Sequence, residues 1–443
     1  MIERTRITMV GIIVAIIATA CTPSADASRE AVDVRLSQPV ILAGSTSTIY
    51  LKIGLQVDGE GEYRAPVNLA IVIDRSGSMQ GEKLMRAKEA AKAAVNRLHP
   101  DDIVSVVAYD DTVRVLLPAT KVADRTAVLG AIDALEIGGN TALFAGVSVG
   151  AAELRKFFDR ERVNRVVLLS DGLANVGPAS PAELGALGAS LKKEGISVST
   201  IGLGLGYNED LMVRLAGHSD GNHAFVEHPR DLARIFDLEF GDAVSVTAQD
   251  VLVQIECAEG TRPVRVLGRE AEITGRSVTV TVNQLYDARE QYILLELEAP
   301  AGSSGQARRL ANVHWSYLRM GTTTTKVKGW KSADATYTTD MKKVQAEEDS
   351  NVMVAVVEQI ATEQNRLALD LRDQGRIDEA QALLLKNTVY ARDNAARYQS
   401  ETLADVAVEN ETDAQQIIKQ EEWTTQRKSM TERYLSRSRQ KKQ

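Results

Sequence analysis

Three short segments of this 443-residue chain carry oxygen-bearing side chains at spacings that suit a bound cation. Two carboxylates and three hydroxyls are involved, with neither His nor Cys among them. Hard oxygen donors of this kind favour Mg²⁺, with Mn²⁺ or Ca²⁺ as alternatives, over zinc. The residue types therefore predict a divalent-metal site formed by Asp74, Ser76, Ser78, Thr141 and Asp171.

These side chains follow segments whose hydrophobic pattern predicts buried strands. The first half of the stretch 67–79 is an apolar run of strand length, and its second half is a Gly/Ser loop that opens onto an amphipathic helical pattern. Asp171 comes directly after a second apolar run. In open α/β sheets, ligands bind in the crevice at the carboxyl ends of the strands, so we expect the segments to meet there. Strands and helices alternate from Val67 to about Phe240, which predicts a doubly wound, mostly parallel sheet with helices on both faces.

The flanking segments have a different periodicity. Residues 32–57 and 245–337 alternate apolar and polar residues, which predicts antiparallel strands that combine into one β-sandwich, with the α/β domain inserted into it. The C-terminal region is rich in Ala, Leu, Glu, Gln and Arg, and predicts a helical hairpin turning at Gly375 and packed on the sandwich. The predicted organisation is sandwich strands at 32–66, an α/β domain at 67–242, further sandwich strands at 243–340, and a helical region with a basic tail at 341–443.

The amino terminus has the pattern of an export signal. Arg4 and Arg6 precede an apolar run at 9–20 that is too short to span a bilayer comfortably. The run closes on Ala-Thr-Ala-Cys21, which resembles a bacterial lipoprotein signal in which the cysteine becomes acylated. We therefore expect a signal peptide at 1–20, a lipidated tether at 21–31, and a protein anchored in the bacterial cell envelope. Ordinary secretion is the alternative, because Ala-Thr-Ala is also an acceptable cleavage site, and would release a soluble periplasmic or secreted protein.

Charge and cysteine content limit the partners and crosslinks. The net charge of −8 argues against nucleic acid as the main partner, since binding to phosphates requires an excess of Lys and Arg. The chain has two cysteines, and with Cys21 acylated, Cys257 has no disulfide partner and is expected to be a core residue. The last residues are basic, which predicts a solvated tail or, alternatively, contact with anionic lipid or an envelope polymer. The basic residues are Arg427, Lys428, Arg433, Arg437, Arg439, Lys441 and Lys442.

The three motifs together resemble the metal-ion-dependent adhesion site of von Willebrand factor type A domains. They are Asp-x-Ser-x-Ser at 74–78, Gly-Gly-x-Thr at 138–141 and Ser-Asp-Gly at 170–172. The segments at 207–211 and 221–225 are similar to secreted bacterial members called calcium-activated chloride channel homologues. The resemblance implies that Ser76, Ser78 and Thr141 coordinate the metal directly, and that the two aspartates act through water or directly. It also implies that an Asp or Glu of a partner protein supplies a further ligand.

The motifs favour a binding protein over an enzyme. The predicted function is metal-dependent binding of an acidic side chain on a partner protein, without catalytic residues. One alternative is a metal-independent envelope scaffold in which the metal only stabilises the loops. The other is a Mg²⁺-dependent hydrolase with Asp74 as phosphoryl acceptor; this needs a cationic clamp, for which Arg75 is the only obvious residue. The spacing of His218, His223 and His228 crosses a turn, a strand and a helix start, which does not suit zinc.

Overall fold

A computed structural model describes residues 32–59 and 63–440 of the chain. The predicted signal peptide and Cys21 lie outside the described residues. Within the described ranges, no helix combines the length and the apolar character needed to cross a membrane.

The described residues form strands and helices that are numbered here in chain order. The strands are β1 Val32–Leu36, β2 Val40–Leu42, β3 Ser47–Leu55, β4 Val67–Asp74, β5 Ile103–Tyr109, β6 Val113–Lys121, β7 Val163–Ser170, β8 Ile196–Leu203, β9 His223–Val226, β10 Val246–Cys257, β11 Arg262–Leu267, β12 Glu272–Thr274, β13 Ser277–Tyr286, β14 Gln291–Ala299, β15 Ala307–Arg319 and β16 Thr325–Thr338. The α-helices are α1 Glu82–Asn96, α2 Arg125–Asp133, α3 Leu143–Arg155, α4 Pro181–Lys193, α5 Glu209–His218, α6 Leu232–Val244, α7 Met341–Ala346, α8 Ser350–Asp373, α9 Ile377–Tyr398, α10 Glu401–Gln416 and α11 Trp423–Ser438.

The central sheet has the order β6-β5-β4-β7-β8-β9. All neighbouring strands are parallel except β6, which pairs antiparallel with β5 at the edge. Every residue of β4 and of β7 is buried, as expected for strands covered on both faces. One apolar core lies between the sheet and α1, α2 and α6, and a second between the sheet and α3, α4 and α5. The predicted doubly wound α/β fold is confirmed.

Two antiparallel sheets flank this α/β unit in the chain. One has the order β1-β3-β14-β11, and the other has the order β12-β13-β10-β15-β16-β2. Their facing apolar side chains form one core, which includes Cys257 at 5% exposure. Arg165 of β7 joins the α/β unit to this pair of sheets, because its buried guanidinium donates to Gln284 Oε1 at 2.6 Å and to the Tyr286 hydroxyl at 2.9 Å. Helix α6 ends at Val244 and β10 begins at Val246, so the last helix of the α/β unit leads directly into the second sheet.

The C-terminal region contains more helices than the predicted hairpin. Helices α8 and α9 are joined at Gly375, whose φ of +80° suits glycine, but α10 and α11 pack against them as well. Polar side chains are buried where the helices meet: Asn365 Nδ2 donates to Asn410 Oδ1 and Asn387 Nδ2 donates to Asn365 Oδ1, both at 2.6 Å. Apolar side chains of all four helices also pack together, among them Leu384 and Met430, but the buried polar positions weaken the apolar periodicity by which a packed helix is recognised.

The basic residues at the end of the chain are not a solvated tail. Those that the structure describes lie in or directly after α11, and most of them pair with carboxylates of this chain. Arg427 lies 2.5 Å from Glu209, and Arg433 lies 2.6 Å from Asp413. The expectation of a solvated tail is therefore wrong for residues 427–439, because internal carboxylates neutralise most of their charge. Lys441 and Lys442 lie outside the described residues.

Candidate metal site

The carboxyl ends of β4 and β7 bring the first and third motifs together. Because Ile73 of β4 pairs in parallel with Leu169 of β7, the next residues, Asp74 and Ser170, are neighbours. Ser170 Oγ donates to Asp74 Oδ2 at 2.6 Å. The other oxygen, Asp74 Oδ1, accepts from the backbone N–H of Ser76 at 2.8 Å, which turns the chain away from the strand. This turn leaves Ser76 Oγ and Ser78 Oγ 3.1 Å apart.

The three motifs surround one point above Gly172. A Cβ atom added to Gly172 would lie 3.1 Å from Thr141 Oγ1, 3.3 Å from Ser78 Oγ and 3.7 Å from Asp74 Oδ2. Ser78 Oγ also donates to Asp171 Oδ1 at 2.7 Å. Oxygen donors from three separate segments therefore face the same position, and the absence of a side chain at Gly172 keeps that position open. This arrangement fits the hard oxygen coordination that Mg²⁺ prefers.

The loop that carries Thr141 is held by close backbone contacts. A Cβ atom on Gly138 would lie 1.8 Å from Asp110 Oδ2, so a side chain at Gly138 would collide with Asp110. The carbonyl of Gly139 accepts from the N–H of Gly77 at 3.0 Å, which ties the second motif to the first. The N–H of Thr141 donates to Asn175 Oδ1 at 2.8 Å. These contacts fix the position of Thr141 through the backbone of the loop and do not involve its side-chain hydroxyl.

Arg75 supports the loops and does not face the metal position. Its Nη2 lies 2.5 Å from Asp110 Oδ2, and its Nη1 donates to the carbonyl of Glu136 at 3.2 Å. Burial opposes ionisation of Asp110, yet hydrogen bonds from Thr112 and the charge of Arg75 hold its pKa below the usual value. Sequence reasoning missed Asp110, although this acidic residue follows the end of β5 much as Asp74 stands at the end of β4. With its guanidinium engaged in this way, Arg75 is unsuited to clamp a phosphoryl group.

Lys83 is the second residue that sequence reasoning missed. It lies in the first turn of α1, and its ammonium forms an ion pair with Asp171 Oδ2. Asp171 is 1% exposed, so Lys83 neutralises a buried carboxylate. Asp74 has no such partner among the described residues: burial raises its pKa, and the charge of Asp171 acts in the same direction, while hydrogen bonds from Ser170 and Ser76 oppose the shift. The site thus combines two close carboxylates with one ammonium group.

The histidines do not form a metal site with this set. His223 is buried, where its Nδ1 lies 2.9 Å from Thr200 Oγ1 and its Nε2 lies 3.3 Å from the Tyr207 hydroxyl. Burial lowers the pKa of His223 to about 3. Across residues 32–59 and 63–440, no group of three or more His, Cys, Asp or Glu side chains is placed to hold a metal ion. A cation above Gly172 would therefore depend on the serine and threonine hydroxyls as much as on the two carboxylates.

Comparison with known proteins identifies the α/β part of the chain. The family model for the von Willebrand factor type A domain matches residues 68–237. The uncharacterised protein YfbK of Escherichia coli K12 is 30% identical over 204 residues, which are 46% of this chain and 36% of that protein. The uncharacterised protein sll0103 of Synechocystis is 31% identical over 204 residues, which are 45% of this chain and 48% of that protein. The chain thus spans less than half the length of these two relatives.

A solved structure extends the similarity of fold beyond the matched residues. The von Willebrand factor type A protein from Catenulispora acidiphila superposes with a TM-score of 0.68 at 19% identity, and the match covers 84% of this chain and 88% of that one. At this identity the match shows the fold alone. The family model, in agreement with the parallel sheet, identifies residues 68–237 as a von Willebrand factor type A domain.

Proposed function

We propose that this chain is a divalent-metal-dependent protein-binding component of the bacterial cell envelope, anchored through Cys21. The observation that carries the proposal is the convergence of Thr141 Oγ1, Ser78 Oγ and Asp74 Oδ2 on one position above Gly172. Von Willebrand factor type A domains are typically protein-interaction modules, which agrees with a binding role.

The five residues of the site divide into two groups in this proposal. The hydroxyls of Ser76, Ser78 and Thr141 would contact the metal, and Asp74 and Asp171 would act directly or through water. A bound divalent ion supplies an electrophilic centre that attracts an acidic side chain from a partner protein. Among the described residues, the two carboxylates and the ammonium of Lys83 together carry one negative charge, so a divalent ion at the site keeps positive charge for that attraction. The charge of the partner residue then gives the contact its specificity.

The proposal is tested by capture from envelope extract. Purified protein is immobilised and incubated with extract, once with Mg²⁺ and once with EDTA. We expect a partner that is retained with Mg²⁺ and released by EDTA. A partner retained equally in both conditions would assign the function to the sandwich or the helices, as in the metal-independent scaffold. Radiolabelled palmitate in growing cells tests the anchor separately: it should label the wild type and not a Cys21→Ala variant, whereas absence of label in both would indicate a soluble secreted protein.

Lys83 is expected to weaken metal binding, which gives a sharper test of the site. The ammonium of Lys83 and a divalent ion at the site would both interact with the carboxylate of Asp171, and their positive charges would repel each other across a short distance. We expect Lys83→Met to raise the affinity for Mg²⁺ about tenfold, measured by isothermal titration calorimetry. In EDTA the same variant should unfold at a lower temperature than the wild type, because the buried Asp171 loses its partner.

A lysine elsewhere on the same helix provides the control. Lys88 donates to the carbonyl of Asp133 at 2.9 Å, so Lys88→Met removes a charge from α1 without touching Asp171. We expect its Mg²⁺ affinity to match that of the wild type. Equal affinities in Lys83→Met and the wild type would show that Lys83 does not compete with the metal.

A further inference from the structure

A cavity separate from the metal site lies where the α/β unit meets the C-terminal helices. It is formed mainly by α5, α8, α11 and the turn that follows β11, with Lys192 of α4 and Thr281 of β13 also in its wall, and its volume is about 410 Å³. None of the five metal-site residues lines it. Its volume is in the range of pockets that hold small molecules.

Positive charge is concentrated around one carboxylate in the wall of this cavity. Lys192 Nζ lies 3.6 Å from Asp220 Oδ2, and Arg269 and Arg439 line the cavity as well. Burial opposes ionisation of Asp220, yet the charges of Lys192 and Arg269, a hydrogen bond from the N–H of Asn283 and the charge of Arg439 lower its pKa to about 2. One carboxylate therefore faces three cationic side chains.

The arginines near Asp220 are held by neutral groups. Arg269 donates to Gln440 Oε1 at 3.2 Å and to the carbonyl of Arg439 at 2.7 Å. Arg439 donates to Asn222 Oδ1 at 2.5 Å and to the carbonyl of Ala216 at 3.3 Å. These contacts orient the guanidinium groups without neutralising them. Oriented guanidinium groups with remaining charge are suited to bind phosphate or carboxylate.

The rim of the cavity adds two more arginines. Arg214 of α5 and Arg366 of α8 are both exposed. Four of the guanidinium groups that line the cavity have no carboxylate within 4.0 Å among the residues that the structure describes. They belong to Arg214, Arg269, Arg366 and Arg439.

Most of the carboxylates in the wall have partners of their own. Glu363 lies 2.6 Å from Arg265 and Asp210 lies 3.0 Å from Arg427, whereas Glu270 lies 3.5 Å from His218, which is charged only when protonated. Asp370 is exposed on α8 and has no ion pair among the described residues. The charge that remains around the cavity is positive.

A buried polar atom in the wall lacks a partner. Gln359 is fully buried, and its Nε2 donates to the Tyr292 hydroxyl at 3.2 Å and to the carbonyl of Arg437 at 2.9 Å. Its Oε1 is buried and accepts no hydrogen bond from the described residues. An unpaired buried acceptor is costly, and a hydroxyl or amine donor would satisfy it.

We propose that this cavity binds a small organic anion. Its phosphate or carboxylate group contacts Arg269, Arg439 and Lys192, Arg214 and Arg366 attract it at the rim, and a hydroxyl or amine of the same molecule meets Gln359. Because α5 belongs to the α/β unit and α11 to the C-terminal helices, the ligand holds these two parts of the chain together. The proposal does not depend on the metal site.

Thermal unfolding and calorimetry of the full chain test the proposal. The probes are sodium phosphate, pyrophosphate and citrate, each compared with sodium chloride at equal ionic strength. We expect pyrophosphate or citrate to raise the unfolding temperature of the wild type above the chloride value. A response to pyrophosphate alone would identify a phosphate ligand, and a response to citrate alone would identify a carboxylate ligand.

Three variants separate the cavity from general effects of charge. Arg269→Met should weaken binding of the effective anion about tenfold, since it removes charge-assisted hydrogen bonds. The double variant Arg214→Gln/Arg366→Gln changes only exposed residues, so it should fold, and it should also weaken binding of the anion. It provides a second test if Arg269→Met does not fold. Arg262→Met is the control, because Arg262 lies on β11 outside the cavity and pairs with Glu298. Equal affinities in the wild type and the double variant, or no stabilisation beyond chloride by any of the three anions, would overturn the proposal.

Discussion

Thr141→Ala is expected to lower the affinity for Mg²⁺ by at least about 100-fold and to abolish metal-dependent capture of a partner. The substitution removes one of the oxygens that face the position above Gly172, and few donors remain there to replace it. The loop should keep its conformation, because the backbone of Thr141 makes the contacts that hold it. Its N–H donates to Asn175 Oδ1 at 2.8 Å, and its carbonyl accepts from the N–H of Asn175 at 3.2 Å. Isothermal titration with Mg²⁺ and with Mn²⁺ measures the loss.

Thr141→Ser is the matched control for this prediction. Serine retains the hydroxyl and loses only a methyl group, so its metal affinity should stay within a few-fold of the wild type. Unfolding temperatures in EDTA should agree among the three proteins, which separates loss of the metal from loss of the fold. If Thr141→Ala bound Mg²⁺ as tightly as Thr141→Ser, the threonine hydroxyl would not be a ligand.

Glu209→Ala is expected to destabilise the protein by about 3 to 5 kcal/mol, because it leaves a buried ammonium group without its carboxylate. Lys428 is 1% exposed, and its Nζ lies 2.5 Å from Glu209 Oε2 and 2.7 Å from the carbonyl of Tyr207. The same carboxylate pairs with Arg427, which also contacts Asp210 of α5 and Asp373 of α8. Glu209 therefore joins the α/β unit to the C-terminal helices. The free energy of unfolding in urea measures the loss.

A double variant distinguishes the cost of the unpaired charge from the value of the pair. Glu209→Leu with Lys428→Met replaces both charges by apolar side chains, and we expect it to be clearly more stable than Glu209→Ala. If the double variant were as unstable as Glu209→Ala, packing around the pair would account for the loss. In that case the charge of Lys428 would have little effect on stability.

The same ion pair predicts how stability depends on pH. Although burial opposes its ionisation, Lys428 and then Arg427 hold the pKa of Glu209 below its ordinary value of 4.5. The stabilisation is therefore complete above pH 4.5 and is lost as the pH falls through the lowered pKa. Glu209→Gln cannot ionise, so its stability should change less with pH over that interval than that of the wild type. If the free energy of unfolding changed equally with pH in the wild type and in Glu209→Gln across that interval, this assignment would be contradicted.

The location of the site could be predicted from the sequence because it depends on strand ends. Apolar runs mark β4 and β7, and the residues after two parallel neighbouring strands must lie at the same edge of the sheet. For that reason Asp74 and Asp171, with the nearby Ser76 and Ser78, could be assigned to one place. Whether they hold a metal stays a prediction.

The charges around the site could not be predicted in the same way. Lys83 is separated from Asp171 by 88 residues, and Arg75 from Asp110 by 35. Hydrophobic periodicity shows which face of a strand or helix is buried, but it does not show which polar side chains meet across the fold. Lys83 therefore had the appearance of an ordinary residue in the first turn of a helix.

The C-terminal helices show the same limit most clearly. By itself the sequence determined the α/β fold and the order of its strands and helices along the chain. It also determined the edge of the sheet at which the candidate ligands lie, because buried strands and helices carry a recognisable apolar pattern in the local sequence. Only the tertiary structure decided that the basic segment pairs with Glu209, Asp210 and Asp413. Arg427 and Glu209 are 218 residues apart, and a lysine or arginine has the same local signature whether its partner is water or a carboxylate. The partner is determined by long-range packing, which brings α11 against α5.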